Sequence, residues 1–149
     1  MAFTTIDDPT AHFQNLSWTG DGSSTRALTN TGNANLQPDF VWLKNRTDAE
    51  NHTLADTSRG VTNRLSSNTT NAQDSNGLVS VQSDGFTVQQ SNNGNTNAKQ
   101  YVAYQWKANG GTTASNSNGT ITSTVQANTA AGFSIISYTG NGSDGATIG

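Results

Sequence analysis

The sequence predicts an all-β protein, an antiparallel β-sandwich with little helix. Three observations carry that expectation. The apolar residues fall in short runs bounded by Gly, Asn, Asp and Pro, the punctuation of strands and turns. No stretch sustains the 3.6-residue spacing of an amphipathic helix. Ser, Thr and Asn together make up about 39% of the 149 residues, against 31% hydrophobic and 11% charged. Thr suits the outer face of a sheet, and Asn and Gly suit tight turns. Disordered chains combine low hydropathy with high net charge, whereas the net charge here is only −3 and the apolar residues are clustered.

The most apolar run, residues 37–46, reads as the central strand. Pro38-Asp39 punctuates its start, Phe40-Val41-Trp42-Leu43 is apolar on both faces, and Lys44-Asn45-Arg46 returns it to water. Its companion is 101–107, where Val102, Tyr104 and Trp106 share one face and Tyr101, Ala103 and Gln105 the other. With so few apolar residues the large rings are needed inside, so Trp42 and Trp106 are expected in the core.

Taken in order, residues 1–12 form a polar arm with apolar points at Phe3 and Ile6, broken by Asp7-Asp8-Pro9. Residues 13–18 alternate and end in the turn Thr19-Gly20-Asp21-Gly22-Ser23. Strands are expected at 26–30 and 52–56. In Asp56-Thr57-Ser58-Arg59-Gly60 the Asp56 carboxylate is expected to cap backbone N–H groups and pair with Arg59, around a single helical turn at most. Residues 78–83 and 86–90 flank Asp84-Gly85, a hairpin signal of type I′. Residues 91–98 read as an Asn-rich loop. The sandwich then spans 13–108, a linker of small polar residues 109–118, and a further unit 119–149 with strands at 120–126 and 133–138.

That last unit opens a repeat. Phe13-Gln14-Asn15-Leu16-Ser17-Trp18-Thr19-Gly20-Asp21-Gly22-Ser23 aligns without gaps on Phe133-Ser134-Ile135-Ile136-Ser137-Tyr138-Thr139-Gly140-Asn141-Gly142-Ser143. The implied period is about 120 residues, the length of a sandwich domain, so 119–149 reads as the start of a second, truncated copy.

Several function classes are disfavoured. Seven Lys and Arg in an acidic chain make no basic stripe for nucleic acid. Without cysteine, no disulfide framework or thiolate metal site is possible. No segment matches a signal peptide or the ~20 apolar residues of a membrane span. A glycoside hydrolase needs two facing carboxylates, and the single glutamate, Glu50, sits beside Asp48 in a polar turn. His12 and His52 lack ligand spacing. The expectation is a non-enzymatic protein with no metal and no cofactor.

The order Phe40-Val41-Trp42-Leu43-Lys44-Asn45-Arg46, Asp56-Thr57-Ser58-Arg59-Gly60, Ser83-Asp84-Gly85-Phe86 and Tyr101-Val102-Ala103-Tyr104-Gln105-Trp106-Lys107-Ala108-Asn109-Gly110-Gly111 resembles a known family. It is similar to the concanavalin A-like (lectin/glucanase-type) sandwich repeats in virion structural proteins of marine tailed phages. The opening Phe3-Thr4-Thr5-Ile6-Asp7-Asp8-Pro9 is similar to the way such proteins begin. The resemblance implies a jelly-roll-like sandwich on a phage particle, in a tail fibre, spike or capsid appendage. It implies other virion proteins as partners and a homo-oligomer, with a trimer favoured as in fibres. It carries over no catalytic residue. Phe3, Ile6 and Phe13 are then the expected anchor.

A carbohydrate-binding module for host polysaccharide is the alternative. Sugars are bound by aromatic faces with amide and carboxylate hydrogen bonds, which makes Trp18, Trp42, Tyr101, Tyr104 and Trp106 candidates. The loops 48–52 and 91–98 supply the expected glycan or host contacts Asp48, Asn51, His52, Asn93 and Asn95.

Overall fold

The computed structural model describes residues 6–149, so the anchor residue Phe3 lies outside the described residues. Ten strands follow one another: β1 Phe13–Thr19, β2 Thr25–Leu28, β3 Phe40–Asn45, β4 Thr53–Asp56, β5 Ser80–Gln82, β6 Gly85–Gln89, β7 Gln100–Trp106, β8 Ala114–Asn116, β9 Ser123–Asn128 and β10 Phe133–Tyr138. They form three antiparallel sheets, ordered β1-β7-β3-β4, β2-β6-β5 and β10-β9-β8. The first two face each other as an all-β sandwich, with the two expected centre strands, β3 and β7, side by side. Among the described residues the helix assigned is one 3₁₀ turn, Pro9–Ala11, where Asp8 Oδ1 accepts from Thr10 N at 2.8 Å. It stands before β1, not in the 56–61 stretch where a turn of helix was expected; there Pro9 supplies the fixed φ of a first helical turn.

Alternation along the strands decides what is buried. Tyr101, Ala103 and Gln105 of β7 point inward, as do Val41 and Leu43 of β3, and meet Leu28, Phe86 and Val88 from the opposite sheet. Trp18 stacks on Tyr101 at 5.4 Å and meets Phe86 edge-on at 5.9 Å. Burial of each such side chain contributes about 1.5–3 kcal/mol. The polar ends of both rings are satisfied by the loop after β6: Trp18 Nε1 donates to Gly94 O at 3.1 Å, and Thr96 N donates to the Tyr101 hydroxyl at 3.0 Å. An Asn-rich loop is thereby fastened over the core.

Two expectations are corrected here. Trp42 is not a core residue: it is 37% exposed, because Val41, Leu43 and Asn45 take the inward face of β3. Trp106 lies on the outer face as well, and its cover comes from Phe133 of the third sheet, stacked at 5.9 Å. The hairpin at 80–89 forms, but not with a type I′ turn. Gln82 pairs with Gly85, so Ser83 and Asp84 make the loop, and only Gly85 has positive φ, at +109°. Gly85 N donates to Leu36 O at 3.0 Å, and a side chain there would strike the Leu28 carbonyl.

The third sheet is welded to the sandwich by buried polar groups. Asp39, 1% exposed at the head of β3, accepts from Ala108 N at 2.7 Å and Gly110 N at 2.9 Å through Oδ2, and from the Thr57 hydroxyl at 2.9 Å through Oδ1. Gln126 of β9, fully buried, donates to the Thr57 and Ser58 hydroxyls and accepts from Asn109 N and Gly111 N. Asn128 reaches Lys107 O at 3.2 Å. Residues 109–118, read from composition as a linker, therefore begin with backbone amides held by Asp39 and Gln126 and go on to contain β8.

Replacing Asp39 leaves the buried Ala108 N–H without an acceptor, at about 1–3 kcal/mol, and removes the acceptor of the part-buried Gly110 N–H. Asp39→Ala is expected to lower the unfolding free energy by about 2–4 kcal/mol in urea titrations, and Asp39→Asn by less.

Candidate functional site

The outward face of the four-stranded sheet carries most of the rings the core leaves over. Register places them in rows. Phe13, Trp106 and Phe40 form the first row; Asn15, Tyr104, Trp42 and Leu54 the second; Ser17, Val102 and Lys44 the third. Phe133 covers the first row, 5.9 Å from Trp106 and 6.2 Å from Phe40. The second row stays open: Tyr104 is 41% exposed beside Trp42 at 37%. Trp42 and Tyr104 stand directly opposite each other on neighbouring strands, about 5 Å apart at Cβ.

A polar rim flanks it. Trp42 Nε1 donates to His52 Nδ1 at 3.0 Å, and the Ser67 hydroxyl is 2.9 Å from the same nitrogen. An indole N–H can only donate, so His52 Nδ1 presents its lone pair to Trp42. Asn68 accepts from His52 N at 3.0 Å and donates to Asn51 Oδ1 at 3.1 Å. With its amide oriented to suit both neighbours, Asn93 donates to Asn51 O at 3.2 Å and accepts from Arg64 Nη1. The structure thus brings Asn51 and His52 to the edge of the Trp42 face, while Asn93, linked to Asn51 O, lies against Leu43, Thr53 and Leu78 of the inner side. Alternation marked Tyr104 as facing with Trp106, but Phe40-Val41-Trp42-Leu43 is apolar on both faces and hid the exposure of Trp42.

Asp48 stands apart from that rim. It pairs with Lys99 at 2.9 Å, and the Lys99 ammonium holds its carboxyl below the usual carboxylate range. Asn95 cannot be a glycan contact, which corrects the expectation from its Asn-rich loop. It is fully buried, donating to Asp21 Oδ1 at 2.7 Å and Ser23 O at 3.0 Å, because the turn after β1 needs its amide inside. Of the other aromatic candidates, Trp18 and Tyr101 are buried in the core. Asp56 and Arg59 make a closed turn: Asp56 Oδ1 accepts from Arg59 N at 2.8 Å and Oδ2 from Arg59 Nε at 2.6 Å. Ile6 and Phe13 line an apolar cleft with Pro9, His12, Trp106 and Phe133.

Among the described residues no cluster of three His, Cys, Asp or Glu side chains stands together. The face thus sets the exposed Trp42 and Tyr104 rings beside His52 and the Ser67 hydroxyl, with Lys44 in the next row.

A family model described as a domain of unknown function, DUF7483, matches residues 8–149. No curated protein and no solved structure matches the chain.

The Asp21 turn gives a pH signature. The Ser23 hydroxyl and N–H, then the Asn95 amide and Arg26, hold its carboxyl down at about 2 against an ordinary 3.8. A depressed folded-state value means its stabilisation is present above pH 3.8 and lost as pH falls towards 2. Acid titration of stability is expected to show a limb in that window that is weakened in Asp21→Asn.

Proposed function

The chain belongs to the DUF7483 family, whose description assigns no activity, and on that footing we propose that it is a non-enzymatic structural module of a tailed-phage virion. It is carried on a tail fibre, spike or capsid appendage, assembles as a homo-oligomer, with a trimer favoured, and is exposed on the particle where it meets the host surface.

The observation that carries this reading is the use made of its acids. Asp8, Asp21, Asp56 and Asp74 accept backbone N–H groups of their own turns, Asp39 and Asp84 accept those of the distant Ala108 and Leu36, and Asp48 pairs with Lys99. Carboxylates engaged in this way act as struts, whereas hydrolysis needs two of them free across a cleft. The motif resemblance supplies the phage setting. The apolar cleft at Ile6 and Phe13 suits an anchor that takes an apolar side chain from a neighbouring virion protein. A surface rich in Thr, Ser and Asn with little charge suits a solvated outer layer.

The second reading is a lectin-like module for host polysaccharide, favoured by the open Tyr104–Trp42 pair and its amide rim. The two readings are compatible, since an exposed virion module can also bind a glycan.

Immunogold labelling of purified particles is expected to place the protein on a tail or capsid appendage, and native mass spectrometry to give a multiple, with three favoured, of the 15.6 kDa chain. Particles that carry no label would remove the virion reading. On a neutral-glycan array, Trp42→Ala and Tyr104→Ala are each expected to lower signal by at least about tenfold with stability within about 1 kcal/mol of the parent. An array with no signal for the parent chain removes the second reading.

A further inference from the structure

Asn followed by Gly is the step at which a peptide chain turns most readily on its own side chain. The glycine backbone nitrogen attacks the asparagine Cγ, and a five-membered imide closes. Glycine permits the approach because it has no Cβ to crowd it. The sequence holds five such steps, Asn76-Gly77, Asn93-Gly94, Asn109-Gly110, Asn118-Gly119 and Asn141-Gly142. As dipeptides they are equivalent; in the fold they are not.

The attacking group is the glycine amide, so an amide held by an acceptor is withheld from the reaction. Three of the five are held. Gly77 N donates to Thr62 O at 2.9 Å, Gly94 N to Ser91 O at 3.0 Å, and Gly110 N to Asp39 Oδ2 at 2.9 Å. Two of the side chains under attack are held as well: Asn93 is bonded to Asn51 O and Arg64 Nη1, and Asn109 donates to Thr112 O at 3.2 Å. Among the described residues Gly119 N and Gly142 N meet no such acceptor. Gly119 is wedged in place even so. A Cβ built on it would lie 2.5 Å from Thr147 O, and the neighbouring Thr120 N and Ile121 N both donate to Thr147. Gly142 has nothing within 4 Å of that position beyond its chain neighbours, and Asn141 is exposed.

The Asp21 turn supplies a comparison inside the same molecule. Thr19-Gly20-Asp21-Gly22-Ser23 and Thr139-Gly140-Asn141-Gly142-Ser143 differ at one residue. Ser23 N donates to Asp21 Oδ1 at 2.9 Å and Ser143 N to Asn141 Oδ1 at 3.0 Å, with Gly22 and Gly142 at φ of +75° and +74°. The glycine amides are what differ. Gly22 N donates to Asn95 O at 3.1 Å, an acceptor supplied by the loop after β6, and Gly142 N has no counterpart to it. The Ser143 N–H on Asn141 Oδ1 also stands where negative charge develops when Cγ is attacked.

We propose that Asn141 is a self-modification site, converted to a carboxylate by water. Gly142 N gives its proton to solvent base and bonds to Asn141 Cγ, and Nδ2 leaves as ammonia. Water then adds to one of the two imide carbonyls, and the C–N bond at that carbon breaks. The sum is one water consumed, one ammonia released and one negative charge added. Opening at Cγ gives aspartate, which suits the turn, since Asp21 already stands in its twin. Opening at the main-chain carbonyl lengthens the backbone at the turn by one carbon.

The test uses Asp21→Asn, in which both turns carry the same five residues. Incubated in heavy-oxygen water at mildly alkaline pH and read by peptide mass spectrometry, position 141 is expected to convert at least about tenfold faster than position 21. In urea that unfolds the chain the two rates are expected to converge. The parent chain gives a second arm that needs no substitution: Asn141 is expected to convert first and Asn118 after it, with Asn76, Asn93 and Asn109 at least about tenfold slower than Asn141. Equal rates at positions 21 and 141 in the folded variant overturn the proposal. So does a parent chain in which any other Asn-Gly step converts first. A ratio that persists in urea overturns it too, because the fold would not be its source.

Discussion

The arrangement of the three sheets depends on two buried side chains, the Asp39 carboxylate and the Gln126 carboxamide. Between them they take the backbone amides of Ala108, Asn109, Gly110 and Gly111 and the hydroxyls of Thr57 and Ser58. The chain leaves β7 here, and without Asp39 the buried Ala108 N–H would lack an acceptor, at about 1–3 kcal/mol. Because Gln126 is held in β9 and Asp39 directly precedes β3, the exit path is fixed as well. That path sets the third sheet over the outer face, where Phe133 covers the Trp106 row and leaves the Tyr104 row open. The candidate binding face is thus a consequence of where a polar node directs the chain.

The same logic runs through a molecule with a thin apolar core. Its stability is distributed over short local bonds from Asn, Thr, Ser and Asp to backbone amides, as in the Asn45, Asp56 and Asp21 turns. Each fixes one loop. Lys44 follows the same pattern, its ammonium donating to the Asn45 and Glu50 carbonyls and so fixing the turn after β3. What remains free on the outer face is aromatic surface with amides and hydroxyls around it.

Strands were legible wherever period-two alternation met turn residues. Residues 101–106 gave both faces of β7 correctly, and the Asp84-Gly85 signal marked a real hairpin. The turn type was not legible, because Gly85 answers to Leu36, a residue far away in sequence. Trp42 was misplaced for a related reason: a run apolar on both faces does not say which face a third sheet will cover. Asn95 was misplaced because composition makes every Asn in 91–98 look alike, while only one sits under the Asp21 turn. In each case the deciding partner was distant along the chain.

The paired segments β1 and β10 carry this argument one step further. Their strand and turn geometry agree to within a few degrees at the glycine, so local sequence suffices to build that unit. Their burial does not agree, since Trp18 has Phe86 and Tyr101 against it and Tyr138 has no such rings. Local structure is therefore written in the segment, and burial is supplied by what is set against it. The same strand-and-turn segment is therefore a core strand where the opposite sheet supplies Phe86 and β7 supplies Tyr101, and an outer strand where only its Phe133 face meets the sandwich.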